Sequence, residues 1–99
     1  MHTLLVLEAA RQEWFKAVDY YEFKQKGLGE RFLKAVVEHL EIVTKTPKHY
    51  KKIKKEYRQI SIKQFPFLII YRINESNKTI VIISIFHSKR HPKTKFRND

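Results

Sequence analysis

The sequence predicts an α+β fold: an N-terminal strand, a two-helix antiparallel hairpin, then a three-stranded antiparallel meander. Three observations predict it. Residues 8–44 carry apolar side chains at helical spacing, the only two glycines fall together at Gly27 and Gly29, and residues 57–86 hold three runs of strand character. The apolar stripe of the hairpin and the inner faces of the strands can bury one another, which makes two layers. With 99 residues the chain is long enough for one core and too short for two, so residues 1–99 read as a single domain.

The elements follow in order. Leu4 to Leu7 is a short apolar run, read as an opening strand. From Glu8 the period changes: Ala10, Trp14, Ala17 or Val18, and Tyr21 recur at helical spacing, and the helix should run to about Lys24 or Gln25. Gly27 suits a left-handed position after that helix. A second helix is expected from Glu30 to Thr44, with a stripe of Leu33, Val36, Val37, Leu40 and Val43 flanked by Phe32. Pro47 closes it, because the residue before a proline is pushed out of helical geometry.

Lys45 to Arg58 reads as a basic connector with Glu56 as its single acid. In Tyr57 to Lys63, Ile60 and Ile62 alternate with Gln59, Ser61 and Lys63, the period of a half-buried strand. Phe65 to Ile73 and Thr79 to Phe86 are nearly continuous apolar runs rich in β-branched residues, as in strands central to a sheet. Asn74 to Lys78 forms the hairpin loop between them. Pro66 cannot donate to a ladder and should sit where its strand begins.

Composition narrows the functional classes. Lysine and arginine number 21 against 10 acids, a formal charge of +11. At this size so large an excess is costly in self-repulsion unless a partner neutralises it, and nucleic acid, an acidic protein or an anionic membrane surface would serve. There is no cysteine, which removes thiol chemistry and a disulfide framework. No phosphate-binding glycine loop, dinucleotide fingerprint, zinc-protease motif or nucleophile elbow occurs, so no cofactor is expected. No apolar run approaches the roughly 20 residues of a spanning helix, and a signal-peptide pattern is lacking; a cytoplasmic protein with no membrane partner is expected.

The residues with chemistry gather at the end of the chain. His87 and His91 stand four apart, but Pro92 follows and no third ligand accompanies them, so no metal site is assigned. An imidazole titrates near neutral pH and can exchange protons, which makes His87 a candidate acid or base; the bland alternative is a strand-end histidine bonded to backbone. Arg90 has a planar fork suited to holding a phosphate, and Lys89, Lys93, Lys95 and Arg97 surround it with positive charge. Arg58 either holds a phosphate or pairs with a helix carboxylate. Lysines 51, 52, 54 and 55 are either a solvated loop or a contact with nucleic acid or a partner protein. Trp14 and Tyr21 fit the core stripe, whereas Tyr20 lies to its side, open to a partner.

Several short motifs, taken in order, resemble the RelE/ParE superfamily of type II toxin–antitoxin toxins over about residues 4–96. They are Tyr20-Tyr21-Glu22, the run Gly27-Leu28-Gly29-Glu30-Arg31-Phe32, Pro47, Arg58, Phe65-Pro66-Phe67 with Tyr71 beyond, and His87-x-x-Arg90-x-Pro92. The resemblance implies a toxin neutralised by a cognate antitoxin whose acidic, amphipathic C-terminal segment orders on binding. Two targets are implied: RelE-like members cut messenger RNA on the ribosome, and ParE-like members poison DNA gyrase. The positions that match RelE's basic central-strand residues fall at or near Gln59, Ser61 and Leu68, none of them basic. The ending and the Phe-Pro turn look ParE-like, so the expected function is ParE-like growth inhibition. A ribosome-dependent mRNA endonuclease is the alternative, and a non-toxic nucleic-acid-binding module a further one. The candidate target- or phosphate-binding residues are Arg58, Lys63, Arg90, His91 and Lys93; the candidate catalytic residues, for an endonuclease only, are His87 and Arg90.

Overall fold

A computed structural model describes residues 2–89. In chain order the elements are β1 (Thr3–Val6), α1 (Glu8–Lys24), α2 (Leu28–Lys45), β2 (Lys52–Lys54), β3 (Tyr57–Ser61), β4 (Phe67–Asn74) and β5 (Thr79–His87). The strands form one five-stranded sheet in the order β1-β5-β4-β3-β2.

The expected antiparallel meander is β3-β4-β5, and β1 adds a parallel edge strand that makes the sheet mixed. β1 pairs parallel with β5, Thr3 opposite Thr79 and Val6 opposite Ile82. Parallel partners need a long crossover, and everything from α1 through β4 supplies it. β2 is a correction, since it lies within the expected connector. It is three exposed residues paired with Tyr57 and Arg58, and a lysine-rich edge strand of that length has no apolar alternation to reveal it. β4 starts two residues later than predicted, with Pro66 just outside it, while β5 starts at Thr79 as expected. Its carbonyl accepts from Ser88 N at 2.7 Å, so the residue without an N–H still closes the sheet end.

Both helices lie on one face of the sheet. Ala10 and Ala17 of α1, Phe32, Ala35, Val36, Leu40 and Val43 of α2, and Ile60, Phe67, Ile69, Tyr71, Ile80, Ile82 and Ile85 of the strands make one core. Tyr21, Phe32, Phe65 and Phe67 cluster there with ring centroids 4.8 to 6.0 Å apart. A fully buried phenylalanine, isoleucine, leucine or valine of this core contributes about 1.5–3 kcal/mol. The buried stripe of α2 is turned relative to the expected one: Phe32 is at its centre and Val37 is exposed. On the other face of the sheet Ile70, Val81, Ile83 and Phe86 pack with Leu7, Tyr57 and Leu68.

The α1–α2 link explains two of the sequence motifs. Gly27 has φ +87°, a left-handed conformation that side chains with a Cβ avoid. Gly29 is needed for space, because a Cβ there would sit 2.6 Å from the Val18 carbonyl oxygen and 2.9 Å from Glu22 Cβ. The Glu22 carboxylate accepts from Gly27 N at 2.9 Å and Gly29 N at 3.0 Å, satisfying donors at the start of α2 where the helix dipole favours an anion.

A β-bulge shapes β5. Ile70 pairs with Ser84 and Tyr71 with Ile82, so Ile83 is the extra residue. Glu13 of α1 reaches this irregularity, its Oε1 accepting from Ser84 Oγ and from Ile85 N, both at 3.1 Å.

Candidate functional site

His87 ends β5, paired with Phe67, and its ring meets the Phe67 ring edge-on at 5.4 Å. Nδ1 accepts from Lys89 N at 3.1 Å, which leaves Nε2 to carry the proton of the neutral ring. The imidazole opens onto a cleft of about 480 Å³ whose other wall is α1. Gln12, Lys16 and Tyr20 face it from successive helical turns, with Glu13 beside them and Phe67 and Ile85 as its apolar floor. Tyr20 is 55% exposed and Phe23, one turn on, is 90% exposed. Lys24 Nζ lies 5.3 Å from the Tyr20 ring centroid.

The other sequence-predicted residues lie elsewhere. Arg58 is built into the fold: its guanidinium donates to Tyr50 O at 2.6 Å and Lys48 O at 3.5 Å. Backbone carbonyls thus take the place of the expected helix carboxylate at Nη1. Lys63 lines a separate cleft of about 500 Å³ between α2 and the end of β3, with Glu38, His39, His49, Tyr50 and Ser61. Arg58 is opposite Tyr71 while His87 is opposite Phe67, four residues or about 13 Å along β4. His87, Arg58 and Lys63 are therefore three separate places. Arg90, His91 and Lys93 lie outside the described residues.

Gln59, Ser61 and Leu68 share one face of the sheet, Ser61 directly opposite Leu68 and Gln59 opposite Ile70. That face offers no cation at these three positions. Among the described residues no group of three or more histidines or acids is arranged to hold a metal, and no helix is long and apolar enough to cross a membrane.

An apolar groove of about 220 Å³ lies between β1 and the two helices, lined by Leu4, Val6, Trp14, Val37 and Leu40, with Glu41 and Thr44 at its rim. Leu5 beside it is half exposed. Trp14 Nε1 is buried with no hydrogen-bond partner. The expected amphipathic antitoxin segment would need an apolar surface of this kind. Sequence reasoning missed Gln12, Glu13 and Lys16; their one signal was a polar series at helical spacing beside the apolar stripe.

Comparison with known proteins follows this geometry. A family model described as the ParE toxin of type II toxin-antitoxin system, parDE, matches residues 4–92. A curated relative, a putative RelE4 toxin of Methanocaldococcus jannaschii, is 28% identical over 58 residues, covering 56% of this chain and 61% of that protein. The match thus spans less than two thirds of the relative. Among solved structures, the chromosomal ParDE system from P. aeruginosa matches with a TM-score of 0.65 at 21% identity, over 90% of this chain and 98% of that one. The RelBE2 toxin–antitoxin complex from Mycobacterium tuberculosis gives 0.64 at 22%, over 87% and 96%. The isolated E. coli RelE toxin gives 0.62 at 18%, over 94% and 90%. These structures share the fold, and they share it almost equally on the ParE and RelE sides. With the family model covering nearly every described element, the chain belongs to the ParE toxin family of type II toxin–antitoxin systems.

Proposed function

We propose that this ParE-type toxin arrests growth by binding DNA gyrase, cleaves no RNA, and is neutralised by a cognate antitoxin. The observation that carries this reading is the face formed by Gln59, Ser61, Leu68 and Ile70. Cleaving RNA at a 2′-hydroxyl requires groups that activate the hydroxyl, grip the phosphate and stabilise the leaving oxygen. The resemblance puts such groups on the central strands, and here those positions are neutral or apolar. Arg58 Nη1 is bonded to backbone carbonyls, and Lys63 lines a different cleft from His87. Target binding on this reading uses the His87 end of the sheet with the C-terminal cations Arg90, His91 and Lys93, while the exposed Tyr20 and Phe23 supply apolar anchors.

The antitoxin is the partner expected for the groove beside Trp14, Val37 and Leu40. An amphipathic segment buries its apolar residues there, and its acidic residues meet a chain of charge +11. The solved relatives include a ParDE system and RelBE complexes, which supports a partner of this kind.

Induced expression followed by primer extension across cellular transcripts tests the reading. Growth arrest without new transcript ends is the expected result. Codon-phased cuts would instead establish the ribosome-dependent endonuclease, with His87 and Arg90 as its catalytic candidates. Unimpaired growth would favour a non-toxic nucleic-acid-binding module.

A further inference from the structure

The lysines of the expected connector converge on one end of the molecule. Lys52 pairs with Arg58 and Lys54 with Tyr57, which leaves Lys55 and Glu56 as the turn of the β2–β3 hairpin. The β4–β5 hairpin turns between Asn74 and Thr79. Since Arg58 lies opposite Tyr71, the start of β3 adjoins the end of β4, and both turns leave the sheet at the same end. The last turn of α2 arrives there too: His2 N donates to Thr44 O at 3.0 Å and Thr3 N to Lys78 O at 2.9 Å. Lys45, Lys48, Lys51, Lys52, Lys55 and Lys78 therefore share one pole. The acids facing them are Glu56, paired with Lys52 at 3.6 Å, and Glu75, paired with Lys48 at 3.2 Å. These exposed pairs contribute little and leave the pole strongly positive.

Backbone conformation adds a second observation. Among the described residues, the positive-φ positions other than glycine are Lys55 at 50° and Lys78 at 52°. Glycine or asparagine is the stable choice at such turn positions, and a lysine is held there against that preference. Both sit in turns at this pole, and backbone cost at an exposed position points to a use for the side chain.

The surface also indicates the class of partner. The exposed phenylalanine and tyrosine side chains among the described residues, Phe15, Tyr20 and Phe23, all belong to α1; at and beside this pole the exposed large apolar residues are aliphatic, Ile53 of β2, Ile42 of the last turn of α2 and Leu4 of β1. Protein partners anchor on buried aromatic and apolar side chains, and single strands stack their bases on aromatic faces. A duplex backbone needs neither, because it is held through its phosphates.

We propose that this pole docks the phosphate backbone of a nucleic-acid duplex, independently of the His87 cleft at the opposite end of β5. The inference does not rest on the target of the toxin, because its readout is binding by the purified chain and not growth.

The test is fluorescence anisotropy of the full chain with a labelled mixed-sequence DNA duplex, and in parallel an RNA duplex, a single strand and polyglutamate, between about 50 and 200 mM salt. The triple variant Lys51→Gln, Lys52→Gln, Lys55→Gln is expected to bind the DNA duplex at least about tenfold more weakly and to flatten the log–log salt slope by about 2–3. A control removes the same charge from the α1–α2 link: Lys24→Gln, Lys26→Gln, Arg31→Gln. It lies the length of α2 away, about 27 Å, beyond the screening length, and is expected to change affinity less than about twofold. Lys55→Gly separates binding from folding: it should raise the melting temperature, by relieving the turn, while weakening duplex binding. Equal losses in both triple variants, unchanged affinity in the first, or single-strand or polyglutamate binding as tight as duplex binding would each overturn the proposal. An RNA duplex bound like the DNA supports it.

Discussion

Arg58 and Tyr71 face each other across β3 and β4, and both donate to the same stretch of chain. The Tyr71 hydroxyl donates to Pro47 O at 2.6 Å, and the Arg58 guanidinium donates to Tyr50 O, also at 2.6 Å. Between them they fix the segment that leads from α2 into β2, and so the seat of the lysine pole. Pro47 ends the helix and simultaneously offers the carbonyl that the buried tyrosine needs.

This pair gives a pH prediction. Burial pushes the Tyr71 hydroxyl up to about 12; the Arg58 charge opposes the shift and Tyr50 adds to it. The folded value lies above the ordinary value of about 10. The stabilisation is therefore complete below about pH 10 and is lost as pH climbs through about 12. Urea titrations at about pH 9 and pH 11.5 should show a larger loss for the native chain than for Tyr71→Phe, which has no proton to lose there. At neutral pH Tyr71→Phe should cost about 1–2 kcal/mol, the worth of one buried hydrogen bond and its orphaned carbonyl.

A second prediction concerns the helix link. Gly29→Ala drives a Cβ into the Val18 carbonyl, which is backbone and cannot swing aside. About 1–3 kcal/mol of stability should be lost. Glu22→Ala removes the acceptor for Gly27 N and Gly29 N and should cost about 1 kcal/mol. Chemical denaturation of each single variant and of the double checks the coupling. Strict additivity would mean that Glu22 and Gly29 do not act on one contact.

Trp14 offers a contrast between size and polarity. Its ring packs on the core, yet its buried Nε1 donor has no partner. Trp14→Phe keeps most of the apolar area and deletes the unpaired donor, so its stability should stay within about 1 kcal/mol of the native chain. Trp14→Ala should lose about 3–5 kcal/mol. Thermal denaturation distinguishes the two.

Most of the fold was legible from periodicity and from β-branched composition. Both helices and β3 repeat apolar residues at a readable spacing, the continuous runs of β4 and β5 are marked as strands by their β-branched residues, and Pro47 and the two glycines mark the breaks. What was hidden is hidden for identifiable reasons. β2 is three residues of lysine and isoleucine with no face to alternate. The parallel pairing of β1 depends on where α1 and α2 return the chain, which no local pattern records. The stripe of α2 was read one position off centre because Phe32 and Leu33 compete for the core, and aromatic packing with Tyr21, Phe65 and Phe67 settles it for Phe32.

The candidate site was legible as residue types and not as a place. His87 could be singled out for its chemistry, but Gln12 and Lys16 join it only because α1 crosses the end of β5. Arg58 and Lys63 are five apart in sequence and looked like members of one cationic set. The strand turned one to the backbone of residues 48–50 and left the other beside α2. The motif Gly27-Leu28-Gly29 was visible as a signature, while its reason, a close approach of two helices, exists only in three dimensions.

Arg90 carries the remaining sequence-based expectation. Arg90→Ala should lower toxicity at least about tenfold with no change in melting temperature, because on this account Arg90 contacts the target, and a charge-assisted contact is worth about 1.5–3 kcal/mol. Growth curves at matched expression, with thermal denaturation of the purified variant, read both quantities. Full toxicity would remove Arg90 from the site.

The most direct measurement is a supercoiling assay in which purified gyrase is titrated with the purified chain. Dose-dependent loss of supercoiling, reversed by adding the antitoxin, is the predicted result. Gyrase working at its full rate in saturating amounts of the chain would contradict the account.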